Sequence, residues 1–216
     1  MCGLENVNIR ICPLCKGESD SFYKSEFYLC HNCGGVFRPS EFHLDSEQEK
    51  SRYEKHNNLI EDIGYQRFVS SITKKVLKDF DTSSIGLDFG AGTGPVISKM
   101  LEDRGYEIFQ YDPYFHNYPE LLDMSYDYIV ACEVIEHFYD PKKEFELLHS
   151  ALKPNGKLYC KTHIYSLDVD FDSWYYKDDI THVFIYQKQT LEYIQREFGF
   201  QSVEIDGRVA VFKKTT

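Results

Sequence analysis

Cys12-Pro13-Leu14-Cys15 and Cys30-His31-Asn32-Cys33 form two C-x2-C knuckles in one short stretch. Each knuckle can aim two thiolates at a single ion, so Cys12, Cys15, Cys30 and Cys33 supply the four ligands of a tetrahedral zinc site. The other reading, two redox or accidental pairs, does not account for Gly17 and Gly34-Gly35, which follow the knuckles where the chain must turn around a metal. Four thiolates leave no open coordination position, so the expected zinc is structural. His31 sits inside the second knuckle as a bystander, and Cys2, Cys132 and Cys160 have no partner at useful spacing.

A second stretch, Ser84 to Pro95, reads S-I-G-L-D-F-G-A-G-T-G-P. A short apolar strand enters a glycine-rich turn, and Val96, Ile97, Met100 and Leu101 continue with helical spacing. This is the form of the first βα turn of a doubly wound sheet, where backbone can lie against a bound cofactor. A dinucleotide loop would place a third glycine where Pro95 stands, and Asp88 ahead of the turn is a poor neighbour for pyrophosphate but suits an ammonium group. No G-K-[ST] follows, which excludes a Walker loop. Eighteen residues beyond Gly94, the strand Tyr106–Tyr111 ends at Asp112-Pro113, and a carboxylate there can accept from both ribose hydroxyls. A buried strand, Tyr126–Cys132, then runs into Glu133-Val134-Ile135-Glu136-His137-Phe138.

Histidine is the side chain best suited to accept a proton near neutral pH. His182, in the polar and aromatic run Trp174–Tyr186, is the first candidate for a general base, with His137 second and His56 third. Each competes with a plain hydrogen-bonding role. Proper alignment of the reacting atoms can supply much of the rate with no base at all.

The elements needed to position these groups are legible in outline. Ser21–Tyr23 and Phe27–Leu29 read as the hairpin of a zinc ribbon. Ser46 with Glu49 has the form of a helix start, and that helix runs to about His56, where Asn57-Asn58 breaks it. A second helix spans about Asp62 to Asp79, with Ile63, Phe68, Val69, Ile72, Val76 and Leu77 on one face. Helices at 141–152 and 187–198 and strands at 201–205 and 208–212 complete the pattern. The boundaries are 1–40 for the ribbon, 41–82 for a helical connector or lid, and 83–216 for the core. The fold class is α/β: a doubly wound, mainly parallel, seven-stranded Rossmann-like sheet with a small N-terminal ribbon. Strand three is the weakest element, because little chain separates Asp112 from Asp127.

The net charge is −11, and Lys and Arg are scattered, which argues against nucleic acid as a partner. No apolar run is long enough to span a bilayer, and no signal-peptide pattern opens the chain, so the expectation is a cytoplasmic protein with no membrane partner. Seventeen Tyr and sixteen Phe exceed what the strands alone would take up, and a ring-lined substrate pocket competes with plain packing for the rest.

D-x-G-x-G-x-G at Asp88–Gly94 resembles motif I of class I methyltransferases. The E-H-F turn at 136–138 resembles their strand-four signature, particularly in the ubiquinone-biosynthesis-like small-molecule branch, and Leu152-Lys153-Pro154-Asn155-Gly156-Lys157-Leu158 resembles the approach to strand five. The chain is also similar along most of its length to a group of bacterial methyltransferases with a zinc ribbon, a Y-x2-H-x-N segment (Tyr53, His56, Asn58) and a W-x-Y-K-x-D-x-T-H-V-x-F motif (Trp174 to Phe184). The resemblance implies S-adenosylmethionine as cofactor, with Asp88, Gly90, Ala91, Gly92 and Gly94 at its amino acid end, Asp112 and Pro113 at its ribose, and Glu133 bordering cofactor and a small-molecule acceptor. Two rivals remain at this point: a nucleotide-binding interaction module without turnover, and an NAD-dependent oxidoreductase.

Overall fold

A computed structural model describes residues 9–55 and 59–216; Cys2, His56, Asn57 and Asn58 lie outside them. The chain runs β1 (Arg10–Ile11), β2 (Glu18–Tyr23), β3 (Phe27–Cys30), β4 (Val36–Phe37), α1 (Ser46–Tyr53), α2 (Ile63–Asp79), β5 (Ile85–Phe89), α3 (Val96–Glu102), β6 (Glu107–Tyr111) and β7 (Tyr126–Cys132). It continues through α4 (Pro141–Ala151), β8 (Leu152–Lys161), β9 (Ile164–Tyr165), β10 (Phe184–Gln187), α5 (Lys188–Glu197), β11 (Phe200–Asp206) and β12 (Val209–Lys214).

The main sheet has the order β11-β12-β8-β7-β5-β6. The run β6-β5-β7-β8 is parallel, and β12 and β11 close it as an antiparallel hairpin. Among the described residues this sheet has six strands where seven are expected. The segment after β6 forms an isolated bridge, Asp112 to His116, and a 3-10 turn at Pro119–Asp123. It is too short for a crossover helix and a further strand.

Strand side chains alternate between faces, and the two helical layers follow from that. Tyr128 and Val130 of β7 pack with Val69, Ile72 and Val76 of α2 and with Val96, Ile97 and Leu101 of α3. Ile129 and Ala131 point the other way, toward Phe145 and Leu148 of α4 and Leu191 and Ile194 of α5. The three fully buried α2 side chains stabilise that docking by roughly 1.5–3 kcal/mol each. α2 starts at Asp62, whose carboxylate accepts from the Gly64 and Tyr65 amides. The first helix differs from expectation in its start: Asp45, not Ser46, is the N-cap, and it forms the capping box with Gln48. Asp45 wins because its carboxylate accepts from both Glu47 N and Gln48 N.

The ribbon does not stand apart. A second sheet has the order β1-β2-β3-β4-β10-β9, so its last two strands come from residues 164–187. β4 and β10 are antiparallel, with Phe37 opposite Phe184 and Val36 opposite Ile185. Cys12, Leu14, Tyr28, Cys33 and Phe37 belong to the same buried cluster as Phe184, Tyr186 and Leu191. The polar and aromatic run Trp174–Tyr186 is therefore half strap and half strand: a 3-10 turn at Tyr175–Asp178, then β10.

Candidate functional site

The four predicted knuckle cysteines converge. Their sulfurs lie within 4.8 Å of one another, and no disulfide joins them. Cys12 to Cys33 is 3.6 Å and Cys15 to Cys30 is 3.3 Å, close to the ~3.8 Å edge of a tetrahedron with 2.3 Å zinc–sulfur bonds. Gly17 N and Gly35 N point at Cys15 and Cys33 sulfur, both at 3.4 Å. His31 instead engages Asp20 at the surface.

At the main sheet, β5 delivers its glycine turn at the carboxyl ends of the parallel strands, beside the point where the strand order reverses. Gly90 N and Ala91 N both donate to Tyr111 O, and Gly92 N donates to Asp112 Oδ2 at 3.0 Å. Gly90 and Gly92 both have positive φ. A Cβ on Gly90 would meet Val134 at 2.5 Å, so the turn after β7 is packed directly against the turn after β5. A Cβ on Gly92 would meet nothing within 4 Å: the backbone there faces open space.

Asp112 is nearly buried. Its second oxygen accepts from Tyr114 N at 2.9 Å and Phe115 N at 3.1 Å. One carboxylate thus ties the end of β6, the glycine turn and the following loop into a single cradle. Pro113 lies exposed beside it. Glu133 has φ +53, an uncommon backbone state for a non-glycine residue. Both of its carboxylate oxygens accept from the one nitrogen Arg208 Nη2, at 2.9 and 2.8 Å. Arg208 was not anticipated, since nothing in its local sequence points 75 residues back to Glu133.

Asp88 does not project into the turn. It is buried and accepts from Ser98 on α3 at 2.9 Å, and burial raises its pKa to about 6. Between about pH 4 and pH 6 the folded chain keeps a proton on Asp88 that the unfolded chain has released, so this group's contribution falls as pH rises through that window. Asp88→Asn, which cannot ionise, should gain on the wild type by about 3 kcal/mol between pH 4 and pH 7, from about two pH units at 1.36 kcal/mol each. Urea unfolding of both proteins at the two pH values measures this. A difference that does not move with pH would show that Asp88 titrates normally.

His137 and His182 come together, with ring centroids 5.0 Å apart. His137 Nδ1 is 2.9 Å from Thr181 O, and His182 Nδ1 is 2.7 Å from Tyr176 O. Burial, then the neighbouring His137, lowers the His182 pKa to about 4, so His182 is neutral at pH 7. α1 covers this region. Its Glu49, buried, accepts from Tyr53, Tyr114 and Tyr139 at 2.5, 2.8 and 3.0 Å, and Arg52 pairs with Asp179 at 2.8 Å. Asp179 in turn holds Thr181 N and Oγ1. Burial alone would raise the Asp179 pKa, but Arg52 and Thr181 outweigh it and lower it. No local pattern points to the Glu49 cluster, because its tyrosines come from three separate segments.

A family model described as a methyltransferase domain matches residues 62–205, well over half of the chain. The chain belongs to the methyltransferase domain family. The match runs from the start of α2 to β11 and so includes the glycine turn, Asp112, the Glu133 turn and both histidines. Among solved structures, the methyltransferase is similar to an O-methyltransferase family protein from Burkholderia thailandensis (11% identity, 78% of this chain and 63% of that one, TM-score 0.53). It is also similar to 1,6-didemethyltoxoflavin-N1-methyltransferase of the same organism, a structure with bound 1,6-didemethyltoxoflavin and S-adenosylhomocysteine (14%, 86% and 98%, TM-score 0.53). A third is human N-acetylserotonin methyltransferase in complex with S-adenosylmethionine (15%, 79% and 60%, TM-score 0.52). The chain spans less than two thirds of the length of the first and third. At these identities the likeness is one of fold. No curated protein matches the sequence significantly. No helix among the described residues is long and apolar enough to cross a membrane.

Proposed function

We propose that this S-adenosylmethionine-dependent methyltransferase acts on a small-molecule acceptor held between the glycine turn and the His137–His182 pair, beneath Tyr53 of α1. The observation that carries this reading is the Asp112 carboxylate seated on the Gly92 amide, beside backbone that faces open space. That cradle fits a cofactor with a ribose and an amino acid end: Asp112 Oδ2, which among the described residues accepts only from Gly92 N, retains a lone pair for a hydroxyl donor, and Gly92 offers no side chain to obstruct it. When bound, S-adenosylmethionine supplies an electrophilic methyl on a sulfonium. Gly90, Ala91, Gly92 and Gly94 would frame its amino acid end, Asp112 and Pro113 its ribose, and Glu133 the border with the acceptor. Asp88 would act from beneath, bracing the turn through Ser98.

His182 and His137 are proposed to receive the acceptor. A neutral, buried imidazole accepts a hydrogen bond from a hydroxyl or amine and aligns it, and a lowered pKa makes His182 a weaker proton acceptor than free histidine. Positioning is therefore the larger share of its work. Zinc is proposed for the cysteine cluster, whose sulfur spacing and amide donors suit it, in a structural role.

Thermal unfolding with S-adenosylmethionine, S-adenosylhomocysteine or NAD tests the reading. A ligand at 100 times its dissociation constant stabilises by about 2.7 kcal/mol, which is roughly 5–10 °C for a domain of this size. Shifts with the two sulfur ligands and none with NAD are expected. A shift with NAD alone would assign a redox enzyme, and no shift with any of them would leave only an interaction module.

A further inference from the structure

Lys74-Lys75 is one of the short basic pairs of a chain whose net charge is −11. Folding gathers it with other cations. A cleft of about 740 Å³ opens between α2 and the strands β8, β11 and β12, lined by Lys74, Lys75, Lys78, Lys157, Lys161 and Arg208. Three carboxylates share it and do not balance them. Asp206 pairs with Lys75 at 2.8 Å, and Asp79 pairs with Lys157 at 2.9 Å while accepting from Tyr159 at 2.7 Å. That leaves Glu204 as the one further carboxylate of the cleft.

Lys74 and Lys78 are exposed and form no ion pair among the described residues. They stand four apart on α2, a spacing at which like charges destabilise a helix. The dipole of α2 favours Lys78 in the last turn, but it does not account for the cations brought in by β8 and β12. Two of these are short of a counter-charge. Lys161 is 5% exposed, and among the described residues its ammonium hydrogen-bonds only to neutral groups, Phe68 O and Ser71 Oγ. Burial holds its pKa below the usual lysine value. Arg208 gives Nη2 to Glu133, but its Nε is buried with no hydrogen-bond partner. Buried charges and donors are ordinarily met by an opposite charge or an acceptor. A single anion supplies both.

The shape of the cleft selects among anions. Lys157 and Lys161 share one face of β8 and stand ~13 Å apart along it, from the strand rise per residue. That length suits a small molecule with one or two phosphate groups. Glu204 and Asp206 wall the cleft along β11 and repel any longer polyanion that would continue past them. At the far end Arg208 joins the cleft to Glu133. Guanidinium and ammonium groups are the usual partners of phosphate oxygens.

We propose that this cleft binds the phosphate groups of a small molecule, with Lys74, Lys78, Lys161 and Arg208 as its cations. Phosphate binding stands on the cleft alone. That the molecule is the methyl acceptor, its other end reaching Glu133 past Arg208, rests on the methyl-transfer reading above.

Calorimetric titration of the full-length protein with inorganic pyrophosphate tests the site at 0.15 M salt, where charges more than about 8 Å apart are largely screened. The wild type should bind one pyrophosphate per chain. Lys74→Gln combined with Lys78→Gln should bind it at least about tenfold more weakly, having lost two charge-assisted contacts, and should keep the wild-type unfolding temperature. Lys142→Gln combined with Lys143→Gln removes the same charge from exposed positions of α4 and should bind as the wild type does. The proposal is overturned if the wild type binds no pyrophosphate, if the α2 variant binds it unchanged, or if the α4 variant loses as much. A short single-stranded RNA that binds more tightly than pyrophosphate, and fails in the α2 variant, would overturn it in favour of a nucleic acid. Labelled S-adenosylmethionine then identifies the source of the phosphate. A mixture of small metabolites should take up the methyl label before alkaline phosphatase treatment and not after it. Label in both mixtures, or in neither, removes the acceptor from the cleft and leaves free polyphosphate as its ligand. Pyrophosphate binding with no S-adenosylhomocysteine shift would sink the methyl-transfer reading alone.

Discussion

Asp112→Ala should bind S-adenosylhomocysteine about 10–100-fold more weakly than the wild type, because a hydrogen bond to a charged acceptor contributes roughly 1.5–3 kcal/mol. Ligand loss is only part of the effect. The same carboxylate accepts from Gly92, Tyr114 and Phe115 amides, and its removal leaves three donors without their partner at ~1–3 kcal/mol for each that water cannot reach. The glycine turn and the loop after β6 should then separate, which also loosens Tyr114 from Glu49. Asp112→Asn keeps one acceptor oxygen and should fall between the two. Calorimetric titration with S-adenosylhomocysteine measures all three. Affinity within threefold of the wild type in Asp112→Ala would remove Asp112 from the cofactor site.

Cys33→Ser should abolish zinc binding and lower the unfolding temperature by more than 10 °C. A structural zinc contributes on the order of 10 kcal/mol to folding in isolated fingers, comparable with the whole stability of a domain. Here the loss would not stay local. Cys12, Cys33 and Phe37 share a buried cluster with Phe184 and Tyr186, and Arg38 N donates to Val183 O while the Arg38 side chain reaches Lys177 O. The ribbon thus splints the strap that presents His182. Methyl transfer and stability should fall together, and chelation of the wild type should reproduce both. A variant without zinc that melts within 2 °C of the wild type would show that the ribbon's packing, and not its metal, holds that strap.

Motifs that act through adjacent residues were readable along the chain. The cysteine knuckles fix their own ligand geometry because two residues between thiols make one tight turn. The glycine turn and Asp112 were readable for a similar reason: a strand, a turn and the next strand end are local, and Gly90 and Gly92 take the positive φ that favours glycine. The sixfold rather than sevenfold sheet was hinted at by the short chain between Asp112 and Asp127. The capping residue of α1 was misplaced by one position, since Asp45 and Ser46 are both good caps and only the backbone geometry chooses between them.

What spacing alone could not reveal are the partnerships made across the sheet. Glu133 meets Arg208, Glu49 gathers three tyrosines, and β4 of the ribbon pairs with β10. Each joins segments whose proximity is created by strand order and not by sequence distance. Asp88 shows the same division within a single residue. Its place before the glycines marked the turn, while its burial and its bond to Ser98 on α3 are made by the packing of strand and helix. The sequence by itself determined the chemistry available: four thiolates, a glycine cradle and a set of histidines and carboxylates. The tertiary structure decided which of these face one another, because burial, hydrogen-bond satisfaction and the register of paired strands are properties of the packed sheet and of no segment alone.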